Sequence, residues 1–351
     1  MKHIFTVHSP LTFLVAYAVI KHLELAKQDV IIISSNYKVP LNDYPVYPSF
    51  ADQNKSFWKK VKTFNIPKQY DKYISAITQG VPFTAYIDLM SYYQRILITH
   101  KDCRQFHFIE EGNSAYQEFD DLTDITWHER DTGFRHLGLD RKSIARVLRG
   151  YNLRLLGLPY IYSAYAFMEK IQFFAFSNNA FYNVPNAKRV LVKPEKKDAN
   201  MLALAGNYVL ENEVVWLDGS NGRYTGLDEN YYHQAIKRAI DILKKRNILE
   251  EKVYVKLRPG IKSPEDIPLV RILNEAGLEV KIMPDNMIFE SFLLCSKNCH
   301  VVGTLTAALE YAHVFGHKAY SIYGLFEKQA PTFFDRMTGF WKNVEKLGTE
   351  S

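Results

Sequence analysis

A regular alternation of short β-rich runs with amphipathic helical patterns, in the second half of the chain, constrains the fold more than any other feature. The strand-like runs are EVVWL, VYVKL, LEVKIM, HVVG and AYSIY, at 213–217, 253–257, 278–283, 300–303 and 319–323. The helical patterns lie near 229–246, 264–276, 286–296 and 306–315. This order is typical of a doubly wound parallel sheet.

The first half opens in the same way. KHIFTV (2–7) alternates like a strand, Ser9 and Pro10 are typical of a helix start, and VIIISS (30–35) resembles a second buried strand. The chain then becomes helix-rich and aromatic from about 53 to 100, and returns to a strand at FHFIE (106–110). Since single cores stop growing at roughly 250–300 residues, 351 residues predict two α/β domains.

We place the domain boundary in the segment 183–200, where prolines and lysines cluster and the periodicity is lost. The expected division is an N-terminal domain over 1–190 and a C-terminal domain over 200–330. A helical tail over 331–351 would then pack back on the N-terminal domain.

Composition narrows the class of protein. The 44 Lys and Arg against 38 Asp and Glu give a net charge of +6, too small for a dedicated nucleic-acid binder but compatible with a phosphorylated ligand or an anionic membrane. Cys103, Cys295 and Cys299 are too few for a disulfide framework, which favours a reducing, cytoplasmic compartment. LTFLVAYAVI (11–20) could belong to a signal peptide, but we favour a core helix because strands flank it.

Two segments mix basic residues with Tyr, Phe and Leu, at 141–176 and 333–348. Such segments can lie on the anionic inner face of the cytoplasmic membrane, as a peripheral association near a lipid-linked acceptor. Domain-bridging helices with basic solvent faces are the alternative, and we favour it. No run reaches the roughly 18–20 apolar residues of a membrane span.

Polar residues follow the predicted strands, where open α/β sheets bind their ligands. They are His8, Ser9, Glu110, Glu111, Gly112, Asn113, Asp218, Gly219, Arg258, Pro259, Thr304 and Thr306. Several have simpler explanations: helix caps or turns for Ser9, Asp218 and the threonines, and a solvated strand end for Lys256 and Arg258. Walker A, G-x-G-x-x-G, G-x-S-x-G and H-E-x-x-H motifs are absent from the sequence, which disfavours metal hydrolysis and dinucleotide redox chemistry.

Glu110 and Glu111 are harder to explain as surface charges. Adjacent side chains on a strand point to opposite faces, so one carboxylate heads for the interior. That is costly unless the group is solvated or hydrogen-bonded, which favours a cleft at the strand end. A like charge and partial burial there raise a carboxyl pKa, as suits a general base. Adjacent carboxylates cannot flank a glycosidic bond, so glycoside hydrolysis is disfavoured.

Four segments carry a resemblance to bacterial sialyltransferases. IEEG (109–112) resembles their D/E-D/E-G motif, and YVKLRPG (254–260) is similar to their His-Pro motif. IFESFLL (288–294) resembles the segment whose glutamate holds the ribose of CMP, and VVGTLTAALEYA (301–312) resembles the donor-phosphate segment. TVHSPLTFLVA (6–16) is also similar to the start of glycosyltransferase family 52.

The resemblance implies a GT-B fold, with two Rossmann-like domains facing each other across a cleft. It implies a metal-independent, inverting transfer from a CMP-activated sugar, with no cofactor. Glu111 would be the general base supported by Glu110, and Glu290 would hold the ribose. His8, Ser9, Gly112 and Asn113 would bind the acceptor. The donor residues would be Lys256, Pro259, Glu290, Gly303, Thr304, Thr306, Asp218 and Gly219.

Arg258 departs from the family pattern, because it occupies the position of the His-Pro histidine. An arginine cannot donate a proton near neutral pH, although it can neutralise the charge that develops on CMP. Three hypotheses therefore stay open: a sialyltransferase acting on a glycan such as lipooligosaccharide or capsule, a transferase with a UDP or GDP sugar, and a non-catalytic glycan-binding protein. His8 is a further candidate proton donor, and a homodimer is compatible with each.

Overall fold

The computed structural model describes residues 1–50, 66–88, 92–116, 158, 162–194, 198–219, 228–258, 263–329 and 338–348. Two compact units divide the chain, Met1–Lys193 and Pro194–Ser351. Each unit contains its own parallel β-sheet with helices between the strands in sequence. The prediction of α/β architecture for both halves is therefore confirmed.

A seven-stranded parallel sheet forms the centre of the first unit, in the order β3-β2-β1-β4-β5-β6-β7. Its strands are β1 Lys2–Val7, β2 Val30–Ser34, β3 Val46–Pro48, β4 Phe83–Ile87, β5 Cys103–Ile109, β6 Phe173–Ala175 and β7 Arg189–Leu191. Its helices are α1 Pro10–His22, α2 Ile66–Thr78 and α3 Tyr92–Ile98.

Helix α1 forms for the local reasons that the sequence suggests. The Ser9 hydroxyl accepts a hydrogen bond from the Thr12 amide at 3.2 Å, while the Thr12 hydroxyl accepts from the Ser9 amide at 3.0 Å. This reciprocal capping box satisfies two amides that the first turn leaves unpaired, and Pro10 fits the first helical position. All residues from Leu11 to Ile20 are buried, so the apolar run is a core helix.

Strand β4 corrects the prediction of a helix-rich segment from 53 to 100. Within that range the described residues form α2 and α3, with the fully buried strand Phe83–Ile87 between them. The strand pairs with β1 on one side and β5 on the other, at the middle of the sheet. A short apolar run of five residues has no periodicity that separates a buried strand from a helix segment, which explains the error.

A six-stranded parallel sheet forms the centre of the second unit, in the order β10-β9-β8-β11-β12-β13. Its strands are β8 Val214–Leu217, β9 Lys252–Lys256, β10 Glu279–Ile282, β11 His300–Gly303, β12 Lys318–Ser321 and β13 Glu345–Lys346. Its helices are α4 Ala199–Leu204, α5 Glu229–Lys245, α6 Pro268–Glu275, α7 Phe289–Cys295, α8 Ala307–Val314 and α9 Thr338–Trp341. The predicted strand-helix alternation is confirmed here.

Two basic, aromatic segments contain strands that the sequence analysis does not anticipate. The described part of 141–176 ends in the buried strand β6, so Phe173–Ala175 is neither a surface helix nor a bridging helix. In the tail, β13 pairs with β12 of the second sheet. Within the described residues, no helix combines the length and the apolar composition that crossing a bilayer requires.

Both sheets reverse their strand order at one point. In the first sheet β2 and β3 lie on one side of β1 and β4 begins the other side; in the second sheet β9 and β10 lie on one side of β8 and β11 begins the other. The connecting loops diverge at such a point and leave a crevice beyond the carboxyl ends of the two strands. Ligand-binding residues are therefore expected after β1 and β4, and after β8 and β11.

Candidate functional site

The first switch point carries ionisable side chains. His8 directly follows β1, Asp88 follows β4, and Glu110 and Glu111 follow β5, the next strand in the sheet. Parallel strands end at the same edge, so these four residues share that edge of the first sheet. The sequence analysis identifies three of them and misses Asp88.

Glu110 is the carboxylate that enters the interior, with 0% of the residue exposed. Its Oε1 accepts a hydrogen bond from the Tyr116 hydroxyl. Its Oε2 accepts one from the Phe176 amide at 2.8 Å. These contacts join the segment after β5 to the segment after β6, so Glu110 has a structural role that needs no cleft.

Glu111 is half-buried, and its charge raises the pKa of the nearby His8. Gly112 follows with φ +115°, a conformation that L side chains rarely adopt, and a Cβ there would lie 3.3 Å from Leu11 Cδ2. The backbone then enters a short 3₁₀ helix at Asn113–Tyr116. The turn requires glycine for its conformation, and it places Glu111 at the end of the strand.

His8 and Asp88 form an ion pair through His8 Nδ1 and Asp88 Oδ2. Burial lowers the pKa of His8, but the hydrogen bond to Asp88 and the charges of Asp88 and Glu111 outweigh it, so the net shift is upward. The neighbouring Ser9 uses its hydroxyl as the cap of α1. For Ser9 the capping interpretation is therefore sufficient.

A pocket of about 230 Å³ opens beside this pair. It is smaller than typical small-molecule pockets of roughly 300–1,000 Å³. Hydroxyl, amide and phenol groups line it together with the ion pair. The lining residues are Thr6, Val7, His8, Ile33, Ser35, Ser49, Tyr70, Asp88, Tyr93 and Gln94.

The second switch point brings Gly219 and Thr304 into contact. A Cβ at Gly219 would lie 2.9 Å from Thr304 Oγ1, closer than real Cβ contacts come. The Gly219 carbonyl accepts a hydrogen bond from the Tyr232 hydroxyl at 2.9 Å, which holds this turn in place. Thr304 is 2% exposed, and among the described residues its hydroxyl has no hydrogen-bond partner. A buried hydroxyl without a partner is costly, and a bound ligand group would satisfy it.

Helix α8 begins just after Thr304. Thr306 is its N-cap, and its hydroxyl accepts from the Ala308 amide at 3.4 Å. Gly303 is the last residue of β11, where a Cβ would meet Leu217 Cβ at 3.4 Å, an ordinary contact. The N-terminus of a helix favours an anion, because its amides lack intrahelical partners and its dipole is positive there.

Cations lie on the neighbouring strand and the residues that follow it. Lys256 ends β9, and its ammonium donates to the carbonyls of Pro284 at 2.8 Å and Asp285 at 3.2 Å. Burial lowers the pKa of Lys256, against the opposing charges of Asp285 and Glu290. Arg258 follows two residues later.

Two carboxylates accompany these cations. Burial raises the pKa of Asp218, while the charge of Arg258 acts in the opposite direction. Burial also raises the pKa of Glu290, against its own backbone hydrogen bond and the charge of Lys256. Glu290 lies in the first turn of α7 and is half-buried, so it is not on a fully solvated helix face.

The candidate residues thus fall into interacting pairs within each unit. In the first unit they are His8 and Glu111; in the second they are Gly219 with Thr304, Asp218 with Arg258, and Lys256 with Glu290. Pro259 lies outside the described residues. Groups of three or more His, Cys, Asp or Glu side chains that could hold a metal are not found in the described part of the chain.

Asp88 is the main residue that sequence reasoning misses. Its strand lies in the segment that the sequence analysis interprets as helical, so its position after β4 goes unseen. Gly80 before the run FTAYI and Asp88 after it are the available signals, since turn residues that bound a short β-branched and aromatic run indicate a strand.

Comparison with known proteins gives structural neighbours only: no protein-family model and no curated protein sequence matches. The GT-B domain of a sialyltransferase from Photobacterium damselae superposes with a TM-score of 0.52 at 10% identity, covering 99% of this chain and 100% of that one. A glycosyltransferase from Rickettsia africae gives 0.46 at 10% identity, covering 91% and 78%. A UDP-GlcNAc 2-epimerase from Methanocaldococcus jannaschii gives 0.47 at 12% identity, covering 99% and 89%. The superposition with the sialyltransferase domain, together with the parallel sheet in each unit, confirms the α/β two-domain GT-B fold.

Proposed function

We propose that the chain is an inverting, metal-independent glycosyltransferase that moves sialic acid, or a related sugar, from a CMP-activated donor to a hydroxyl of a cell-surface glycan. The observation that carries the proposal is the Thr304 hydroxyl, which is buried without a partner among the described residues. It lies after β11 at the second switch point, two residues before the N-cap of α8. A nucleotide phosphate would satisfy this hydroxyl and the amides of the first turn.

The donor half of the proposal uses the second unit. Thr304 and Thr306 hold the donor phosphate, and Lys256 and Arg258 supply positive charge on the neighbouring strand. Glu290 accepts hydrogen bonds from the ribose hydroxyls. Burial raises its pKa, and the charge of Lys256 opposes that rise. Gly219 leaves room beside Thr304, because any larger residue would occupy the space next to the hydroxyl.

The acceptor half uses the first unit. Glu111 accepts the proton of the acceptor hydroxyl while that oxygen forms a bond to the anomeric carbon. The bond between the anomeric carbon and the phosphate oxygen breaks, and its electron pair leaves on CMP. Arg258 stays protonated and neutralises the growing charge on the phosphate. Glu110 supports the turn that carries Glu111 through its contacts with Tyr116 and Phe176.

Arg258 occupies the position of the histidine in the sialyltransferase motif, so a second class of donor also fits the proposal. A transferase that uses a UDP or GDP sugar would need the same phosphate site and a different base pocket. Cytoplasmic location, peripheral contact with the inner membrane face, a glycolipid acceptor and a homodimer belong to the same proposal.

Nucleotide binding tests the donor half. Thermal shift is measured with CMP, UDP and GDP, because a ligand at about 100 times its Kd adds roughly 2.7 kcal/mol of stability. CMP should raise the Tm most. Thr304→Val should keep or raise the Tm of the free protein, since it removes a buried unpaired hydroxyl, and should reduce the shift with CMP. Indifference to all three nucleotides would contradict the proposal, and a preference for UDP or GDP would select the second donor class.

Glu111→Gln tests the acceptor half. The variant keeps the size of the side chain and removes the base, so transfer should fall by roughly 10²–10⁴-fold while the Tm and the CMP shift stay unchanged. Release of CMP from CMP-sialic acid, with soluble methyl glycosides as acceptors, measures the rate. Full turnover by the variant would remove Glu111 from the mechanism.

A further inference from the structure

The ion pair of His8 and Asp88 has no role in the proposed function so far. Asp88 has a side chain that is only 1% exposed. Its Oδ1 accepts a hydrogen bond from the Thr6 hydroxyl at 3.1 Å and another from the Gln94 amide. Gln94 also donates to Thr6 Oγ1 at 3.2 Å. The carboxylate is therefore fixed on one side, and its other oxygen, Oδ2, faces His8 Nδ1.

The imidazole ring of His8 is held in place through one nitrogen, while its side chain remains partly accessible to solvent. Contact with Asp88 occupies Nδ1, so the ring nitrogen available to a ligand is Nε2. The side chain is 37% exposed and lines the pocket at the ends of β1 and β4. A histidine that only packed in the core would have neither property.

The charges around His8 come from the residues that follow two strands. Asp88 follows β4 and Glu111 follows β5, and both raise the pKa of His8 against the opposing effect of burial. Tyr70 from α2 and Tyr93 from α3 also line the pocket. Burial raises the pKa of Tyr70, so it stays neutral. The charges of two carboxylates therefore act on the histidine, and the described residues that line the pocket with it include no lysine or arginine.

We propose that His8, held by Asp88, is a further catalytic residue on which the proton of the acceptor hydroxyl comes to rest. The inference rests on the proposed function and adds to it. Glu111 takes the proton from the hydroxyl as the oxygen bonds to the anomeric carbon and CMP leaves. Neutral His8 then takes that proton at Nε2, so Glu111 becomes a carboxylate again. The imidazolium returns the proton to solvent before the next turnover.

The raised pKa of His8 favours this direction of transfer. A carboxylate with an ordinary pKa of about 4.3 holds a proton weakly near neutral pH. His8 starts from 6.5 and is raised further, so the proton is more stable on the ring. Asp88 is a positioning residue: it fixes the tautomer through Nδ1 and stabilises the imidazolium.

The pH profile of kcat/KM tests the inference, with CMP-sialic acid as donor and soluble methyl glycosides as acceptor probes. A base must be unprotonated, so the wild-type rate should fall as pH drops through the raised pKa of His8, above 6.5. His8→Asn should lower the rate at neutral pH by roughly 10²–10⁴-fold and move the acid limb to the carboxylate range, about 4–5. Asp88→Asn should move the acid limb to lower pH, because the interactions that raise the pKa of His8 are lost.

His22→Asn is the matched control, since it removes an exposed histidine of the same unit at the end of α1. An acid limb that stays in place in His8→Asn would overturn the role of His8. An unchanged limb in Asp88→Asn would overturn the positioning role. If His8→Asn fails to fold, ¹⁵N NMR of the imidazole replaces it, and a His8 pKa that does not fall in Asp88→Asn overturns the inference. Wild-type protein that transfers no sugar from CMP, UDP or GDP donors overturns the proposed function and this inference together.

Discussion

The two switch points have the same topology and opposite chemistry. At the first, β1 and β4 end in His8 and Asp88, with Glu111 one strand away. At the second, β8 and β11 end in a glycine turn and the Thr304 hydroxyl, with cations on the neighbouring strand. The first site contains titratable side chains, and the second combines a helix N-terminus with neighbouring cations, an arrangement that favours an anion.

The sites also differ in how their polar groups are satisfied. Glu110 and Asp88 are held by hydrogen bonds from within the first unit. Thr304 Oγ1 has no partner among the described residues of its unit. The internal hydrogen bonds hold the carboxylates of the first site in fixed positions. The unsatisfied hydroxyl of the second site is costly in the free protein, so a ligand that bonds to it would recover that free energy on binding. The fold sets where each site lies, and the side chains set what it does.

The largest expected effect on stability is that of substituting Glu110. It tests whether Glu110 and Glu111 differ in what they contribute to the fold. Glu110→Ala removes the carboxylate that accepts from the Tyr116 hydroxyl and the Phe176 amide, two buried donors. At roughly 1–3 kcal/mol for each unsatisfied donor, the free energy of unfolding should fall by about 3 kcal/mol. Urea denaturation measures this. Glu111→Ala is the matched control and should cost less than about 1 kcal/mol; equal losses in both variants would erase the distinction between the structural and the functional carboxylate.

Gly219 gives an intermediate effect at the second switch point. Gly219→Ala places a Cβ 2.9 Å from Thr304 Oγ1, and such overpacking costs about 1–3 kcal/mol. Gly303→Ala is the control, because its nearest contact is an ordinary 3.4 Å. Thermal unfolding of both variants, without and with CMP, separates the two. If Gly303→Ala destabilises the protein more than Gly219→Ala does, the close contact with Thr304 is not the reason that position 219 requires glycine.

The smallest expected effect is the pH dependence at Asp218, whose pKa burial raises above 3.8. A raised acid pKa favours the folded state at low pH, and this contribution is lost as pH rises through the folded pKa. The Asp218→Asn variant has no group that ionises at this position. The difference between its Tm and that of the wild type should therefore shift in favour of the variant as pH rises through the acid range. Differential scanning fluorimetry between pH 3 and 7 checks the sign. A gap that narrows with rising pH would show that the charge of Arg258 outweighs the effect of burial on the pKa of Asp218.

Periodicity predicts the second unit well and the first unit unevenly. The alternation after residue 213 gives the five predicted strands and the helices between them, because polar loops separate the strands and helices such as α5 and α6 have one apolar and one polar face. In the first unit β4 and β6 are short, wholly buried runs. A fully buried strand has no polar face, so its period of two disappears and its pattern resembles that of a buried helix.

A candidate site residue could be predicted only where the strand before it was recognised. Residues after recognised strands, such as Glu111 and Thr304, were identified because the ends of strands bind ligands in this architecture. Asp88 was missed because its strand was missed. The partner of Glu110 could not be foreseen either, since Phe176 lies 66 residues away in sequence.

The sequence by itself determined the α/β class, the cap of α1 and the polar residues at the strand ends, because each depends on local spacing and local hydrogen bonds. Only the tertiary structure decided which carboxylate is buried, which aspartate pairs with His8, and which hydroxyl is left without a partner. Those outcomes depend on which strands lie side by side. Sheet order joins residues that are distant in the chain, and no local pattern encodes it.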